Sequence, residues 1–177
     1  MKLGQPNGIG APARRREDDR LLRGAGSYSD DFNLADQLFV VMVRSPHAHA
    51  KISRVDTSAA SEVSGVSAVL TGADYLADDI GDIGHTANPA DAVNWQRPAF
   101  VNRDGSVPFD RAQPTIVRDR VRHVGEIVAA VVAETEAIAL NAADFIEISY
   151  EPLPVVTNAM DALQTGAPDI WADCPGN

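Results

Sequence analysis

Two histidines, His47 and His49, follow an apolar run and stand directly after Pro46. Residues two apart on an extended strand point to the same side, so the two imidazoles could begin a metal site. A third ligand would have to come from His85 or His123, and neither has a supporting spacing. The alternative is that Pro46 forces a bend, where the histidines hydrogen-bond backbone groups left unpaired. We favour this structural role over metal binding.

Glu126 is a second candidate, because it follows Gly125 and directly precedes the apolar run 127–133. Burial at that point could suit its carboxyl group to general-base catalysis. No acid, nucleophile or metal ligand stands beside it in the sequence to complete such a site. A glutamate that opens a strand more often accepts local hydrogen bonds, so we expect a structural role.

Three arginines, Arg118, Arg120 and Arg122, alternate along the chain and would form a basic row on one face of a strand. Guanidinium groups placed in this way could bind a phosphate or a carboxylate-bearing partner. Charged side chains more often protect an exposed strand edge against unwanted pairing. We therefore favour edge protection over ligand binding.

The remaining reactive residues form no persuasive site. Asp18, Asp19, Asp30 and Asp31 come in pairs, but the loop spacing of a helix–loop–helix calcium site is absent. Cys174 has no evident base, and neither common type of phosphate-binding glycine loop occurs. The sequence therefore predicts no catalytic residue, no cofactor-binding residue and no metal ligand in this chain.

Composition limits the class of protein. The formal net charge of −10 disfavours nucleic acid as a partner, since nucleic acid selects clustered Lys and Arg. The single cysteine rules out an internal disulfide framework and fits a reducing compartment. No apolar run reaches the roughly 20 residues of a membrane-spanning helix. With no apolar signal-peptide core after Met1, we expect a cytoplasmic location.

Apolar periodicity predicts a mixed pattern of strands and short helices. The run 127–133 is typical of a buried central strand. It is followed by a helix that places Ile138, Ala142 and Phe145 on one face, and by a half-buried strand over 146–150. Further strands are predicted at 37–44, 50–55 and 66–70, and short helices at 14–23, 56–63, 71–74 and 160–163.

Residues 78–114 lack strong periodicity and are predicted to form an irregular insert. Within this insert, residues 102–105 have the composition of a hairpin turn between two short apolar segments. So long an insert is usually functional or covered by a partner. The final residues, 174–177, are turn-like and suggest a cut between domains.

Several segments, taken together, resemble one protein family. They match, in order and at consistent intervals, the N-terminal segment of the large, molybdenum-binding subunit of the xanthine dehydrogenase and aldehyde oxidase family. The first segments and the full Arg-Ser-Pro-His-Ala-His-Ala run are most similar to its carbon monoxide dehydrogenase-type branch. The matching segments are 9–12, 16–18, 28–31, 44–50, 121–126, 128–129 and 150–154.

The resemblance implies the α/β hammerhead fold, an α+β arrangement with a mixed sheet, short helices and an extended N-terminal arm. It also implies that the complete subunit binds molybdenum–molybdopterin (cytosine dinucleotide) and oxidises aldehydes, N-heterocycles or carbon monoxide. Electrons would then pass through 2Fe-2S clusters to FAD on partner subunits or domains. The family's general base and cofactor loops lie C-terminal to this region. Glu126 is therefore not that base, and the resemblance assigns no catalytic or cofactor residue here.

On this resemblance we expect three parts in the chain. Residues 1–24 would form an N-terminal arm and a short helix, and residues 25–165 the hammerhead domain with the irregular insert 78–114. Residues 166–177 would begin a linker to a missing molybdenum-binding domain.

Three hypotheses for function remain open on the sequence. In the first, the chain is a non-catalytic domain that packs against the molybdopterin-binding domains and against iron–sulfur and FAD subunits. In the second, it is a free-standing hammerhead binding module without a redox role. The third and weakest is an independent hydrolase or metal enzyme built on His47, His49 and Glu126.

Overall fold

The computed structural model describes residues 15–84, 102–106, 109 and 111–177. The chain divides into two compact units, residues 1–37 and 38–177. The predicted N-terminal arm lies largely outside the described residues, as do the apolar segments that flank the predicted hairpin turn. Within the described part, no helix is long and apolar enough to cross a membrane.

The first unit contains two short helical elements in its described part. Helix α1 spans Asp18–Leu22, and a single 3-10 turn spans Ser29–Asp31. Helix α1 ends before Gly24, whose φ of +71° is a conformation that glycine adopts without steric cost. The predicted helix is confirmed, although it begins later than residue 14.

The second unit contains six strands and four short helices within the residues that the structure describes. All five strands predicted from apolar periodicity are present. In chain order the elements are β1 (Phe39–Arg44), β2 (Ala50–Asp56), α2 (Ser58–Ser61), β3 (Val66–Thr71), α3 (Gly72–Ala77), β4 (Arg120–Val121), β5 (Ile127–Ala133), α4 (Glu136–Ala143), β6 (Glu147–Pro152) and α5 (Ala159–Ala162).

The strands form two three-stranded sheets, ordered β1–β5–β3 and β4–β2–β6. Every strand pairing in these two sheets is antiparallel. The α+β class with short helices is confirmed, but the single mixed sheet is corrected to two antiparallel sheets. Apolar periodicity locates strands, whereas the partner and direction of each strand depend on contacts that are distant in sequence.

Helix α4 covers one face of the first sheet. Val131 and Ala133 of β5 pack with Ala139 and Ala142 of α4, and all four side chains are fully buried. Alanine side chains are small, so the helix backbone can lie close to the sheet without leaving a void. This contact forms the first of two hydrophobic cores.

The two ends of α4 differ in how well the sequence predicts them. Thr135 caps the helix, because its Oγ1 accepts a hydrogen bond from the Ile138 amide at 3.2 Å. Ile138 and Ala142 face the sheet as predicted, but Phe145 is 48% exposed. The helix ends at Ala143, so the step from Ala142 to Phe145 no longer follows the helical period.

The second core contains residues of both sheets. Val128 of β5 packs with Ala50 and Ile52 of β2 and with Val121 of β4. Strand β5 therefore contributes to both cores, with Val128 on one side and Val131 on the other. The prediction of a buried central strand at this position is confirmed.

Helix α3 begins against the backbone of the segment that precedes β4. Its first residue, Gly72, has no room for a side chain, because a Cβ atom there would lie 2.4 Å from Val117 O. Thr71 and Asp74 form a capping box, in which Asp74 accepts a hydrogen bond from the Thr71 amide at 2.8 Å. The start of α3 is thus fixed by a close backbone contact as well as by its cap.

We expect Gly72→Ala to lower the free energy of unfolding by about 1–3 kcal/mol, because the added methyl group forces the two backbones apart. Gly81→Ala is the matched control, since nothing lies within 4 Å of a Cβ atom at that position. It should leave stability unchanged or raise it by less than about 1 kcal/mol. Urea denaturation followed by circular dichroism measures both variants, and equal stabilities would contradict the close contact.

Candidate functional site

The bend after β1 is tied to the segment that leads into β5. The Ser45 amide donates to Glu126 O at 2.9 Å, and the Gly125 amide donates to Ser45 O at 2.8 Å. Arg44 adds a bond from Nη1 to Gly125 O at 2.8 Å. Ser45 is buried, and its Oγ accepts from the His47 amide at 3.0 Å. The predicted bend is therefore an ordered junction between two neighbouring strands.

The two histidines of this bend make separate contacts. His49 is only 5% exposed, and its Nδ1 lies 2.7 Å from Pro154 O. Since a carbonyl oxygen only accepts, Nδ1 carries the proton in this hydrogen bond. The His47 ring packs against Tyr150, with ring centroids 4.6 Å apart. The prediction that these histidines bond the backbone at a bend is confirmed for His49.

The metal-site hypothesis finds no ligand set in the part of the chain that the structure describes. There, no group of three His, Cys, Asp or Glu side chains is placed to hold a metal ion. His85, considered as a third ligand, lies outside that part. His123 instead stands near Glu126, with Nε2 4.0 Å from Oε1. The described residues therefore give no support to an independent metal enzyme.

Two polar atoms near the bend are buried without a hydrogen-bond partner, His49 Nε2 and Tyr150 Oη. Burial raises the pKa of the Tyr150 hydroxyl, and the Ser45 side chain offsets part of that rise. The Ser45 side chain therefore lies near the Tyr150 hydroxyl, although the two groups do not form a hydrogen bond of normal geometry. Because both orphaned atoms are closed off from solvent, neither is available to an external substrate.

Glu126 closes the turn that precedes β5. The residue is 6% exposed, and its Oε2 accepts a hydrogen bond from the Arg122 amide at 2.5 Å. Gly125 adopts the φ of +90° that this turn requires. The expected structural role is confirmed, because the carboxylate satisfies a backbone amide of its own turn.

The alternating arginines do not form a row on a strand. Of the three, only Arg120 lies in β4, which is two residues long. Arg118 Nη2 pairs with Asp82 Oδ1 at 2.8 Å, while Arg122 lies over Trp171. The expected row along one strand is not formed, because β4 is too short to keep the side chains in a period of two, but the three arginines still border one space.

Two arginines instead meet one tryptophan in a groove. Arg122 Cζ lies 3.9 Å and Arg111 Cζ 5.1 Å from the centre of the Trp171 ring, which are distances typical of cation–π contacts. Arg111 also pairs with Asp173. A groove of about 320 Å³, here called the arginine–tryptophan groove, is lined by Arg111, Arg122, Trp171, Ile170 and neighbouring residues.

The electrostatics of this groove centre on Arg122. Burial lowers the pKa of its guanidinium group, although Glu126 and Asp119 act in the opposite direction. Sequence reasoning missed Arg111 and Trp171 as parts of one site. They lie far apart along the chain, and no spacing rule links an aromatic ring to such distant arginines.

We expect Glu126→Ala to lower the free energy of unfolding by about 1–3 kcal/mol, because the part-buried Arg122 amide loses its acceptor. Glu126→Gln keeps an oxygen that can accept this bond and should be less destabilising. Denaturant unfolding of the two variants measures the difference. If both substitutions cost the same, the hydrogen bond to Arg122 would not be the reason for the glutamate.

Comparison with known proteins places the chain within a large enzyme family. A family model described as the aldehyde oxidase and xanthine dehydrogenase a/b hammerhead domain matches residues 23–154. The nicotine 6-hydroxylase large subunit of Paenarthrobacter nicotinovorans is 39% identical over 172 residues, which cover 97% of this chain and 19% of that protein. The carbon monoxide dehydrogenase large chain of Afipia carboxidovorans is 34% identical over 166 residues, covering 94% and 18%. The chain spans less than a fifth of the length of these relatives.

Solved structures agree with this assignment. The Cu,Mo-CO dehydrogenase matches with a TM-score of 0.71 and 33% identity, over 93% of this chain and 18% of that one. Quinoline 2-oxidoreductase from Pseudomonas putida 86 matches with a TM-score of 0.69 and 38% identity, over 90% and 18%. The resemblance and the hammerhead fold expected from the sequence are confirmed. This chain belongs to the aldehyde oxidase and xanthine dehydrogenase family of oxidoreductases and corresponds to the α/β hammerhead domain of their large subunits.

Proposed function

We propose that this chain is the hammerhead portion of a molybdenum hydroxylase large subunit. Its role would be to dock against the molybdopterin-binding domains and partner subunits, without chemistry of its own. The complete enzyme would oxidise an aldehyde, an N-heterocycle or carbon monoxide, in line with the names of its relatives. Family membership supports this proposal. Its main structural support is one exposed apolar surface.

That surface, here called the outer face, lies on the first sheet opposite helix α4. The second core buries Val128 of β5 on this side, and the open part is formed by the edge strands β1 and β3. Its three most open side chains belong to Val40, Met42 and Leu70, which are 51%, 41% and 40% exposed. Cross-strand pairing arranges this face in two apolar rows, which consist of Val40, Val132 and Ala68, and of Met42, Ala130 and Leu70. No charged side chain interrupts either row.

Open apolar edge strands of this kind are unusual for an antiparallel sheet. Such a sheet normally carries polar side chains on its free face, and strands that are apolar on both faces are normally buried on both. Burying apolar surface is favourable by about 25 cal/mol for each Å² removed from water. Contiguous exposed apolar side chains therefore mark an interaction site. The other four-fifths of the relatives' length supplies the natural occupant of this face.

Co-expression with a chain that carries the remaining domains of a large subunit of this family tests the proposal. We expect the two chains to copurify as a molybdenum-containing complex. Met42→Glu should weaken their association at least about tenfold, because a carboxylate in an apolar interface is desolvated without a partner. Met160→Glu changes an exposed methionine outside the outer face and is the matched control. Failure of the unmodified chain to associate would favour a free-standing binding module.

The outer face should also determine how the isolated chain associates in solution. We expect the purified 177-residue protein to self-associate, since its apolar outer face has no other means of leaving water. Met42→Glu should shift the population toward monomer, whereas Met160→Glu should not. Sedimentation velocity at several concentrations measures this shift. A monodisperse monomer from the unmodified chain would contradict the expected exposure of the face.

The cofactors of the complete enzyme belong to this proposal. Molybdenum–molybdopterin (cytosine dinucleotide) would be held by the other large-subunit domains, and 2Fe-2S clusters and FAD by partner subunits or domains. The donor set of the described residues does not fit a metal centre, because Cys174 is the single cysteine and no three suitable side chains converge there. That this chain carries no catalytic, cofactor-binding or metal residue stays a prediction. The domain boundaries and the cytoplasmic location stay predictions.

A further inference from the structure

We propose that the arginine–tryptophan groove binds a compact oxyanion, a carboxylate or a phosphate group, through Arg111 and Arg122. This inference is independent of the docking role, since it concerns none of the residues of the outer face. Nothing in the comparisons with known proteins assigns a ligand to this groove.

The first reason is that Arg122 has unused hydrogen-bond donors in a part-buried position. A guanidinium group carries five N–H donors and no acceptor. Among the described residues, the Arg122 side chain donates only one long bond, from Nη1 to Arg120 O at 3.4 Å, so N–H donors of its terminal amino groups remain for an anion. Its Nε, like the two orphaned atoms near the bend, is closed off from solvent. Glu126 Oε2 accepts from the Arg122 backbone amide instead. Burial lowers the pKa of Arg122 while Glu126 and Asp119 raise it, so an anion at the free terminal N–H groups adds to a compensation that the protein supplies only in part.

The second reason is the position of the guanidinium groups on Trp171. At 3.9 Å from the ring centre, Arg122 Cζ is in van der Waals contact with the indole. A guanidinium group held on an aromatic face keeps the N–H donors of its edge available for an anion. Arg111 lies over the same ring, so one tryptophan holds both cations at the groove. The site is therefore pre-organised, and an entering anion has few side chains to immobilise.

The third reason is the local charge, which contrasts with the net charge of −10 of the whole chain. Arg118 and Arg120 join Arg111 and Arg122 around an adjoining space of about 80 Å³. Carboxylates balance part of this charge, since Asp82 pairs with Arg118 and Asp173 with Arg111. Asp119 also borders this space. Glu126 lines the groove as well, so four carboxylates balance the four arginines, and this locally neutral region favours a compact anion over a polyanion.

Titration of the 177-residue chain with inorganic phosphate and, separately, with acetate tests this inference. Two-dimensional proton–nitrogen NMR follows the Arg122 Nε–H and the Trp171 indole N–H, which should shift saturably. The anion that saturates at the lower concentration identifies the preferred oxyanion. Arg122→Gln should weaken binding at least about tenfold, because a charge-assisted hydrogen bond is lost. Arg122→Lys keeps the positive charge but loses the planar pair of N–H donors that can bind two oxygens at once. Its affinity should therefore fall between that of the unmodified chain and that of Arg122→Gln.

Arg54→Gln is the matched control, because Arg54 is an exposed arginine paired with Asp56 and lies outside the groove. It should bind both anions as the unmodified chain does. Equal weakening by Arg54→Gln and Arg122→Gln would overturn the inference, as would the absence of a saturable shift with either anion. The resonances of the unmodified chain keep the test decisive even if Arg122→Gln does not fold.

Discussion

The burial of strand β5 on both of its faces is the interaction on which the rest of the second unit depends. Successive side chains of a strand point to opposite sides, so one seven-residue segment can serve two cores. Val131 and Ala133 pack under helix α4, while Val128 enters the core that includes the second sheet. Small and β-branched residues suit this position, because a larger side chain on either face would push one layer away.

The same strand also positions the polar part of the molecule. Glu126 directly precedes β5, and its backbone carbonyl accepts from the Ser45 amide. Its carboxylate holds the Arg122 amide, which places the Arg122 side chain at the groove beside Trp171. A buried glutamate that could have been taken for a general base is thus a link between the core strand and the arginine–tryptophan groove. Its proximity to Arg122 and His123 follows from the geometry of this turn.

Local patterns in the sequence predict the elements of this fold well and their partners poorly. The strands and the caps at Thr135 and Asp74 depend on neighbours within a few residues, so spacing alone reveals them. The direction of strand pairing and the contact of Arg111 with Trp171 depend on residues brought together only by folding. The hammerhead domain was expected from the resemblance of several motifs to a known family, while the mixed sheet and the strand-borne basic row that were also expected are not found in the described residues.

Strand β1 combines two features that both call for a covering layer. It lies at one edge of its sheet, so part of its backbone N–H and C=O groups lack a strand partner within that sheet. Its outward side chains, Val40 and Met42, are apolar and substantially exposed. A free edge of a lone domain is normally protected by charge, proline or a bulge, but β1 is apolar from Phe39 to Val43, and its bulge and its one charged residue, Arg44, come only at its end. A protein layer over β1 would remove the apolar surface from water and shield the edge from unwanted pairing. This double requirement is the physical basis of the proposed docking role.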